Sequence, residues 1–143
     1  IDVGQSNDIH PHRKKEVGIR LALLAQNIVY GEKNVICYGP KYKSMKIENG
    51  KVALTFNTFE STMQFKGNSQ ITNFAIAGED KKWVWAQAKI EKNKIIVWSQ
   101  EVPNPVAVRY AWADNPENGQ LVFNAEGLPA SPFRTDSWTT DKQ

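Results

Sequence analysis

The pair Asn49-Gly50, set between two runs of strand-forming residues, is the feature that most restricts the fold of this chain. It lies within KYKSMKIENGKVALTF, residues 41–56. The common two-residue hairpin turn needs positive φ at both central positions, and Asn and Gly adopt that conformation more readily than other residues. After the pair, larger apolar residues occupy every second position from 52 to 56, as on a half-buried strand. The sequence therefore predicts an antiparallel hairpin here.

Further short runs of strand-forming residues follow the hairpin. They are ITNFAIAG, KKWVWAQAKI, KIIVWSQ and PVAVRYAW, and the four residues 91–94 are predicted to form the turn between the second and third of them. Five or six short strands at this spacing are typical of an antiparallel β-sandwich. The predicted fold class is therefore mainly β. The C-terminal GLPASPFRTDSWTTDKQ is predicted to be an irregular surface strap or tail.

Residues 11–30, PHRKKEVGIRLALLAQNIVY, predict one substantial helix ahead of the strands. Pro11 suits the first helical position, where its missing N–H costs nothing, and Gly31 is well placed as the C-terminal stop. Apolar residues recur at spacings of three and four and form one wide face: Val17, Leu21, Leu24 and Ile28, widened by Ala22, Ala25 and Val29. An amphipathic helix with so wide a face needs a large apolar partner, and a sheet is the expected one.

Composition and charge exclude several function classes. The 143 residues are 41% hydrophobic, enough for one domain with a core, and the net charge of +3 is not gathered into a long basic tract. Nucleic-acid binding is therefore not expected, because it needs a stripe of basic residues interleaved with aromatics. No run of 18 apolar residues occurs, so we expect no membrane-spanning helix.

The single cysteine and the first residue of the chain are relevant to the cellular compartment in which the protein is found. Cys37, in NVICYG, is predicted to be a small buried hydrophobe in a strand-like run, and it has no partner for an internal disulfide. No signal peptide is visible, and the chain starts at Ile1 rather than Met. We therefore expect a processed or excised segment, and this start is compatible with a targeting signal that was removed.

The opening stretch VGQSNDIHPHRKK places a serine, an acid and a histidine close together. His10 titrates near neutral pH, so it is able to take a proton from a hydroxyl nucleophile and return it to a leaving group. Asp8 is the nearest carboxylate to hold its ring. The alternative is a helix start, with Asp8 or His10 capping the first turn.

Ser6 is predicted to be a polar loop residue rather than the nucleophile. A nucleophilic serine normally sits where backbone N–H groups also point at the developing oxyanion, and the predicted helix opens after His10, not after Ser6. A metal site is not expected either, because His10 and His12 lack the cysteine or carboxylate companions of a zinc site.

NDIHPHRKKEVGIRLALLAQNIVYG resembles the histidine block of the sialate O-acetylesterase family, carbohydrate esterases of the SGNH-hydrolase type. The shared pattern is Asp-Ile-His-Pro, a basic helix start, Gly-x-Arg-Leu-Ala and a closing Tyr-Gly. PVAVRYAWADNP and GLPASPFRTD are similar to later blocks of the family in order and spacing, so the resemblance covers nearly the whole chain. The GQSN at residues 4–7 copies the family's nucleophile motif, but it stands in the lead-in to the histidine block, and we interpret it as coincidence.

The resemblance implies a division of the chain. Residues 1–34 would be the C-terminal loop and helix of an SGNH-type α/β esterase domain otherwise absent from this chain. Residues 35–143 would be a β-sandwich accessory domain with a C-terminal strap. The implied activity is hydrolysis of O-acetyl esters on sugars, sialic acid being the family's named substrate, and the implied location is periplasmic or secreted.

The resemblance also implies how the site is shared. His10 would be the catalytic base and Asp8 its partner, while the nucleophilic serine would come from the N-terminal esterase domain, outside this chain. The implied partners are that domain and an O-acetylated sugar, and no cofactor is required. We expect the segment alone to be inactive.

The five tryptophans raise the possibility of stacking on sugar rings. Trp83, Trp85 and Trp98 are predicted to pack in the core or across neighbouring strands. Trp112, at a strand end, is the better candidate for substrate contact, together with Arg109. The polar residues of the two specific blocks are otherwise predicted to fasten the strap through buried Arg–carboxylate pairs and turns: Arg109, Asp114, Asn115, Arg134 and Asp136.

A second hypothesis comes from a different class, a stand-alone β-sandwich module that binds glycans without hydrolysing them. The predicted helix is the sequence feature that discriminates between the two hypotheses. An independent module has no use for so broad an apolar helical face, whereas the last helix of an α/β domain packs such a face on its sheet.

Overall fold

The computed structural model describes residues 1–67, 72–114, 116 and 119–139, and these contain one helix and ten strands. The helix α1 spans Lys14–Ile28. The strands are β1 Lys41–Glu48, β2 Lys51–Asn57, β3 Met63–Lys66, β4 Phe74–Ala77, β5 Trp83–Trp85, β6 Gln87–Glu91, β7 Lys94–Trp98, β8 Ala107–Tyr110, β9 Leu121–Asn124 and β10 Phe133–Arg134.

Two four-stranded antiparallel sheets make up most of the fold. The first has the order β1-β2-β7-β6 and the second β10-β8-β4-β5, while β3 and β9 form a separate antiparallel pair. The prediction of a mainly β, antiparallel fold with one preceding helix is confirmed. The predicted number of five or six strands is wrong, since ten occur in the described residues.

The hairpin of β1 and β2 turns at the predicted pair. Asn49 has a φ of 50° and Gly50 a φ of 71°, as this turn requires. A Cβ atom at Gly50 would also lie 2.8 Å from the carbonyl oxygen of Pro103, so glycine is needed for space as well as conformation. The predicted turn between β6 and β7 is confirmed too, with Lys92 at a φ of 56°.

The two large sheets face each other across one hydrophobic core. Its largest fully buried side chains include Leu54 of β2 and Ile95 of β7 from the first sheet, and Phe74 of β4 and Tyr110 of β8 from the second. This is the arrangement of a β-sandwich. The Tyr110 hydroxyl accepts a hydrogen bond from the backbone N–H of Val122 at 2.8 Å, which ties β9 to the second sheet.

Two predictions about strands fail for identifiable reasons. The run KKWVWAQAKI is not one strand: it breaks at Ala86, whose N–H bonds the Phe74 carbonyl at 2.9 Å, and β5 and β6 lie in different sheets. Trp98 therefore lies opposite Gln87, not beside Trp83 and Trp85 as predicted. The NVICYG run forms no strand, although Cys37 is buried as predicted.

The helix is shorter than predicted. It begins at Lys14, and Pro11 lies in the loop ahead of it, where the Asp8 side chain accepts the backbone N–H of His10 at 2.7 Å. The predicted stop is confirmed: Gly31 has a φ of 75°, and the N–H of Glu32 returns to the carbonyl of Gln26 at 3.0 Å.

Candidate functional site

The histidine loop, residues 5–12, folds back on itself ahead of α1. The N–H of Asp8 bonds the carbonyl of Gln5 at 3.4 Å, and the Gln5 side chain accepts the N–H of His12, also at 3.4 Å. One carboxylate oxygen of Asp8 accepts the His10 N–H at 2.7 Å, and the other lies 3.7 Å from Nε2 of His12. Asp8 thus fixes the backbone that carries His10.

The imidazole of His10 is exposed. In the ranges described, the ring takes part in no hydrogen bond, so the carboxylate of Asp8 orders the loop and not the ring. The arrangement leaves His10 accessible to a hydroxyl group approaching from outside the chain. Its role as a base, and that of Asp8 in orienting its ring, remain predictions.

Asp2 and Arg20 anchor this loop to the helix, and sequence reasoning missed them. Arg20 donates two hydrogen bonds to the Asp2 carboxylate, at 2.7 and 2.6 Å, and Arg13 donates to the Asp2 carbonyl at 2.8 Å. Burial raises the pKa of Asp2, but the hydrogen bonds and charge of Arg20, together with a backbone hydrogen bond and the N-terminal charge, bring it below its ordinary value. A bidentate, charge-assisted pair of this kind fixes geometry as well as contributing energy.

Ser6 lies in the turn between Gln5 and Asp8 and is exposed, as the loop assignment predicted. No helix opens directly after it, since α1 begins only at Lys14. The loop therefore gives Ser6 no helix N-terminus aimed at an oxyanion.

The predicted apolar face of α1 has no sheet against it. None of the helix residues is buried, and Leu21 and Ile28 are 62% and 57% exposed. Polar contacts tie the helix to the flanking segments of the chain: the Asp2–Arg20 pair at its middle, and a hydrogen bond near its C-terminal end from the Asn27 side chain to the Val35 carbonyl at 2.9 Å. Its apolar face is left available for another surface.

A second cluster of polar residues fastens the C-terminal strap to β8. Nε and Nη2 of Arg109 donate to the two carboxylate oxygens of Asp136, both at 2.9 Å, and the Asp136 side chain is 1% exposed. Thr135 exchanges two bonds with Val108, and Arg134 bonds the Trp138 carbonyl at 3.1 Å. The predicted strap and its buried Arg–carboxylate pair are therefore present.

The prediction about the strap and its polar partners is not confirmed at three points. The strap is not wholly irregular, because Phe133 and Arg134 form β10 and pair with β8. Asp114 is exposed and takes no part in the cluster. Asn115 lies outside the described residues.

The carboxylate of Asp136 in the strap should make the stability of the fold depend on pH. The hydrogen bonds from Arg109 lower the pKa of Asp136 below its ordinary value of 3.8, with burial opposing in part. A lowered folded-state pKa means that the carboxylate stabilises the fold above the unfolded-state value, and that this contribution is lost as pH falls through the folded one. We expect the urea concentration at the midpoint of unfolding to decrease as the pH falls below about 4. In the Asp136→Asn variant this decrease should be smaller. The same dependence on pH in both proteins would contradict this prediction.

The two predicted substrate-binding residues lie together. Arg109 and Trp112 line one cleft of about 370 Å³ on the outer side of the second sheet. Trp83 and Trp85 line it too, and Trp85 is 63% exposed, so the prediction that Trp85 is packed is wrong. Val84 between them packs against the core. Neither His10 nor Asp8 lines this cleft.

The part of the chain that the structure describes has neither a cluster of metal ligands nor a helix suited to a bilayer. Over residues 1–67, 72–114, 116 and 119–139, no group of three or more His, Cys, Asp or Glu side chains is placed to hold a metal ion. No helix in those same residues is long and apolar enough to cross a bilayer.

A solved structure shows what the fold is similar to. No protein-family model matches the chain. The crystal structure of a carbohydrate acetylesterase from Xanthomonas citri superposes with a TM-score of 0.90 and 42% sequence identity, covering 96% of this chain and 32% of that one. The fold is therefore similar to that of part of this carbohydrate acetylesterase.

Curated relatives carry the name of the family that the sequence resembles. Sialate O-acetylesterase of Mus musculus is 30% identical over 132 residues, which are 87% of this chain and 24% of the relative. The Homo sapiens protein of the same name is 28% identical over 131 residues, 87% of this chain and 25% of the relative. The predicted resemblance to the sialate O-acetylesterase family is confirmed over most of the chain. The chain spans about a quarter of the length of these relatives.

Proposed function

We propose that this chain is the C-terminal portion of a carbohydrate O-acetylesterase. In this proposal, residues 1–34 complete an SGNH-type α/β domain whose remainder lies outside the chain, and residues 35–143 form the β-sandwich accessory domain. The observation that carries the proposal is the exposed histidine loop next to a helix whose apolar face is uncovered. The similarity to carbohydrate esterases supports it.

The proposed reaction is serine-dependent ester hydrolysis. His10 accepts the proton of a serine hydroxyl from the N-terminal esterase domain, and the serine oxygen attacks the acetyl carbonyl carbon of the O-acetylated sugar. His10 then gives the proton to the departing sugar oxygen, leaving an acetyl-serine. Water, deprotonated by the same ring, attacks that ester, and acetate leaves as the proton returns to the serine. In the assembled site, Asp8 or another carboxylate holds the ring.

The uncovered face of α1 explains why two parts would form one site. Burying apolar surface releases roughly 25 cal/mol per Å², so the exposed leucine and isoleucine side chains favour docking on the sheet of the α/β domain. The Asp2–Arg20 pair then carries the histidine loop with the helix. Docking the helix would therefore bring His10 to the serine. The proposal includes a periplasmic or secreted location, where glycans are exposed.

Reconstitution tests the proposal. We expect the chain alone to release no acetate from an aryl acetate or from an O-acetylated sugar, and addition of the upstream part of the protein to restore release. The control is the upstream part alone, which lacks His10 and should also be inactive. Robust turnover by the chain alone that Ser6→Ala abolishes would overturn the proposal, as would full activity of the upstream part.

A further inference from the structure

The cleft on the second sheet is built by side chains that share a cross-strand row. Ala75 of β4 lies opposite Trp85 on one side and Arg109 on the other, and Arg109 lies opposite Arg134 of β10. Residues directly opposite each other in a sheet point to the same face. The small methyl group of Ala75 between two large neighbours makes the floor, and Trp85 and Arg109 make the walls.

The walls are held by stacking and ion pairing. The guanidinium of Arg109 lies 4.2 Å from the ring centre of Trp83 while its two hydrogen bonds go to Asp136. Trp83 also packs against Trp138 at 5.5 Å. These contacts fix one side of the cleft before any ligand arrives, and preorganisation of this kind reduces the entropy that binding costs.

The other side of the cleft offers uncovered aromatic surface. Trp85 is 63% exposed and Trp112 is 48% exposed, although both are large apolar side chains. The face of an indole ring carries partial negative charge and attracts partially positive hydrogens. The C–H face of a pyranose ring presents such hydrogens. The hydroxyl oxygens at the edge of the ring accept hydrogen bonds from N–H donors such as those of arginine.

The size and polarity of the cleft fit one or two sugar rings. Its volume of about 370 Å³ falls at the lower end of the roughly 300–1,000 Å³ typical of small-molecule sites. Nη1 of Arg109 has no hydrogen-bond partner in the parts of the chain that the structure describes, so it is a donor at the wall. Flat apolar surface with a few fixed polar groups is the usual make-up of a carbohydrate-sized site.

We infer that this cleft, formed by Ala75, Trp83, Trp85, Arg109 and Trp112, is a glycan-binding subsite separate from the histidine loop. It holds pyranose rings of the polymer or glycoprotein that carries the acetyl ester, with Trp85 as the stacking platform. The inference relies on the proposed function only for the class of ligand. It assigns the β-sandwich a role in retaining substrate, independent of the chemistry at His10.

Binding by the full-length protein tests the subsite, in a His10→Ala background that leaves the acetyl groups in place. The probes are a mucin bearing O-acetylated sialic acid and an acetylated plant-wall mannan, which separate an acidic from a neutral glycan source. We expect saturable binding to at least one, with Trp85→Ala weakening it about tenfold or more. Ala75→Leu, which fills the floor and keeps the rings, should weaken binding as well.

Two controls separate this result from loss of folding and from failure of the proposed reaction. Trp98→Ala removes a half-buried tryptophan of the other sheet and should leave glycan binding unchanged. With His10 present, Trp98→Ala should also leave acetyl release from a small aryl acetate unchanged. The inference is overturned if neither probe binds, if Trp85→Ala binds as the parent does, or if Trp85→Ala abolishes aryl acetate turnover, since the cleft would then be a contact for the esterase domain.

Discussion

Replacing His10 with alanine in the assembled enzyme is expected to lower kcat for acetyl release by about 10²–10⁴-fold, the usual contribution of a general acid–base residue. KM should change little, because the ring acts on the reacting groups and not on the sugar. The exposed position of His10 also means that its removal leaves no cavity in a core. Steady-state kinetics on an aryl acetate and an O-acetylated sugar measure both quantities.

His12 provides the matched control for that substitution. It is exposed, lies two residues away and is the imidazole nearest the Asp8 carboxylate, at 3.7 Å. His12→Ala should therefore retain most of the activity. If the effects are reversed, with His12→Ala inactive and His10→Ala active, the base has been assigned to the wrong ring.

Replacing Asp136 with alanine is expected to lower the free energy of unfolding by about 3 kcal/mol, the lower end of the cost of breaking a buried pair. The Asp136 side chain is 1% exposed and that of Arg109 15%, so the substitution leaves a largely buried guanidinium without its carboxylate. The strap also loses the N–H bond from Trp138 at 3.2 Å. Urea denaturation at pH 7 measures the loss.

Asp80→Ala is the control for the stability prediction. Asp80 also accepts a hydrogen bond from a nearby backbone N–H, that of Lys82 at 3.2 Å, but it is exposed. Its removal should change stability by no more than about 0.5 kcal/mol. Equal losses in the two variants would show that the buried pair adds nothing beyond an ordinary turn.

The parts of the fold that sequence could predict are those encoded by neighbouring residues. Asn49-Gly50 demands positive φ at two adjacent positions, and few turns satisfy it. Strand β9 carries no such signal: all four of its residues, Leu121–Asn124, are buried, so no alternation marks it. The polar Asn124 is tolerated there because its amide bonds Leu128 and Tyr38, contacts that exist only in the folded chain.

In the two candidate sites too, the sequence could predict only what neighbouring residues encode. The order Asp8, His10 and Pro11 is local, and its similarity to a family block made it recognisable. Asp2 and Arg20 are 18 positions apart, and no spacing rule connects them. For Trp85, alternation with Val84 showed that the two face opposite ways, but only the position of β5 in its sheet decided that the valine faces the core.

The helix that buries none of its residues has a consequence for evolution. The sheets supply nearly all of the apolar burial in this polypeptide, so their folding places few demands on the side chains of α1. Under the proposed function, selection on those side chains acts through catalysis and domain assembly, whereas selection on the strands acts through stability. The helix and the strands should then accumulate substitutions under two different selective pressures.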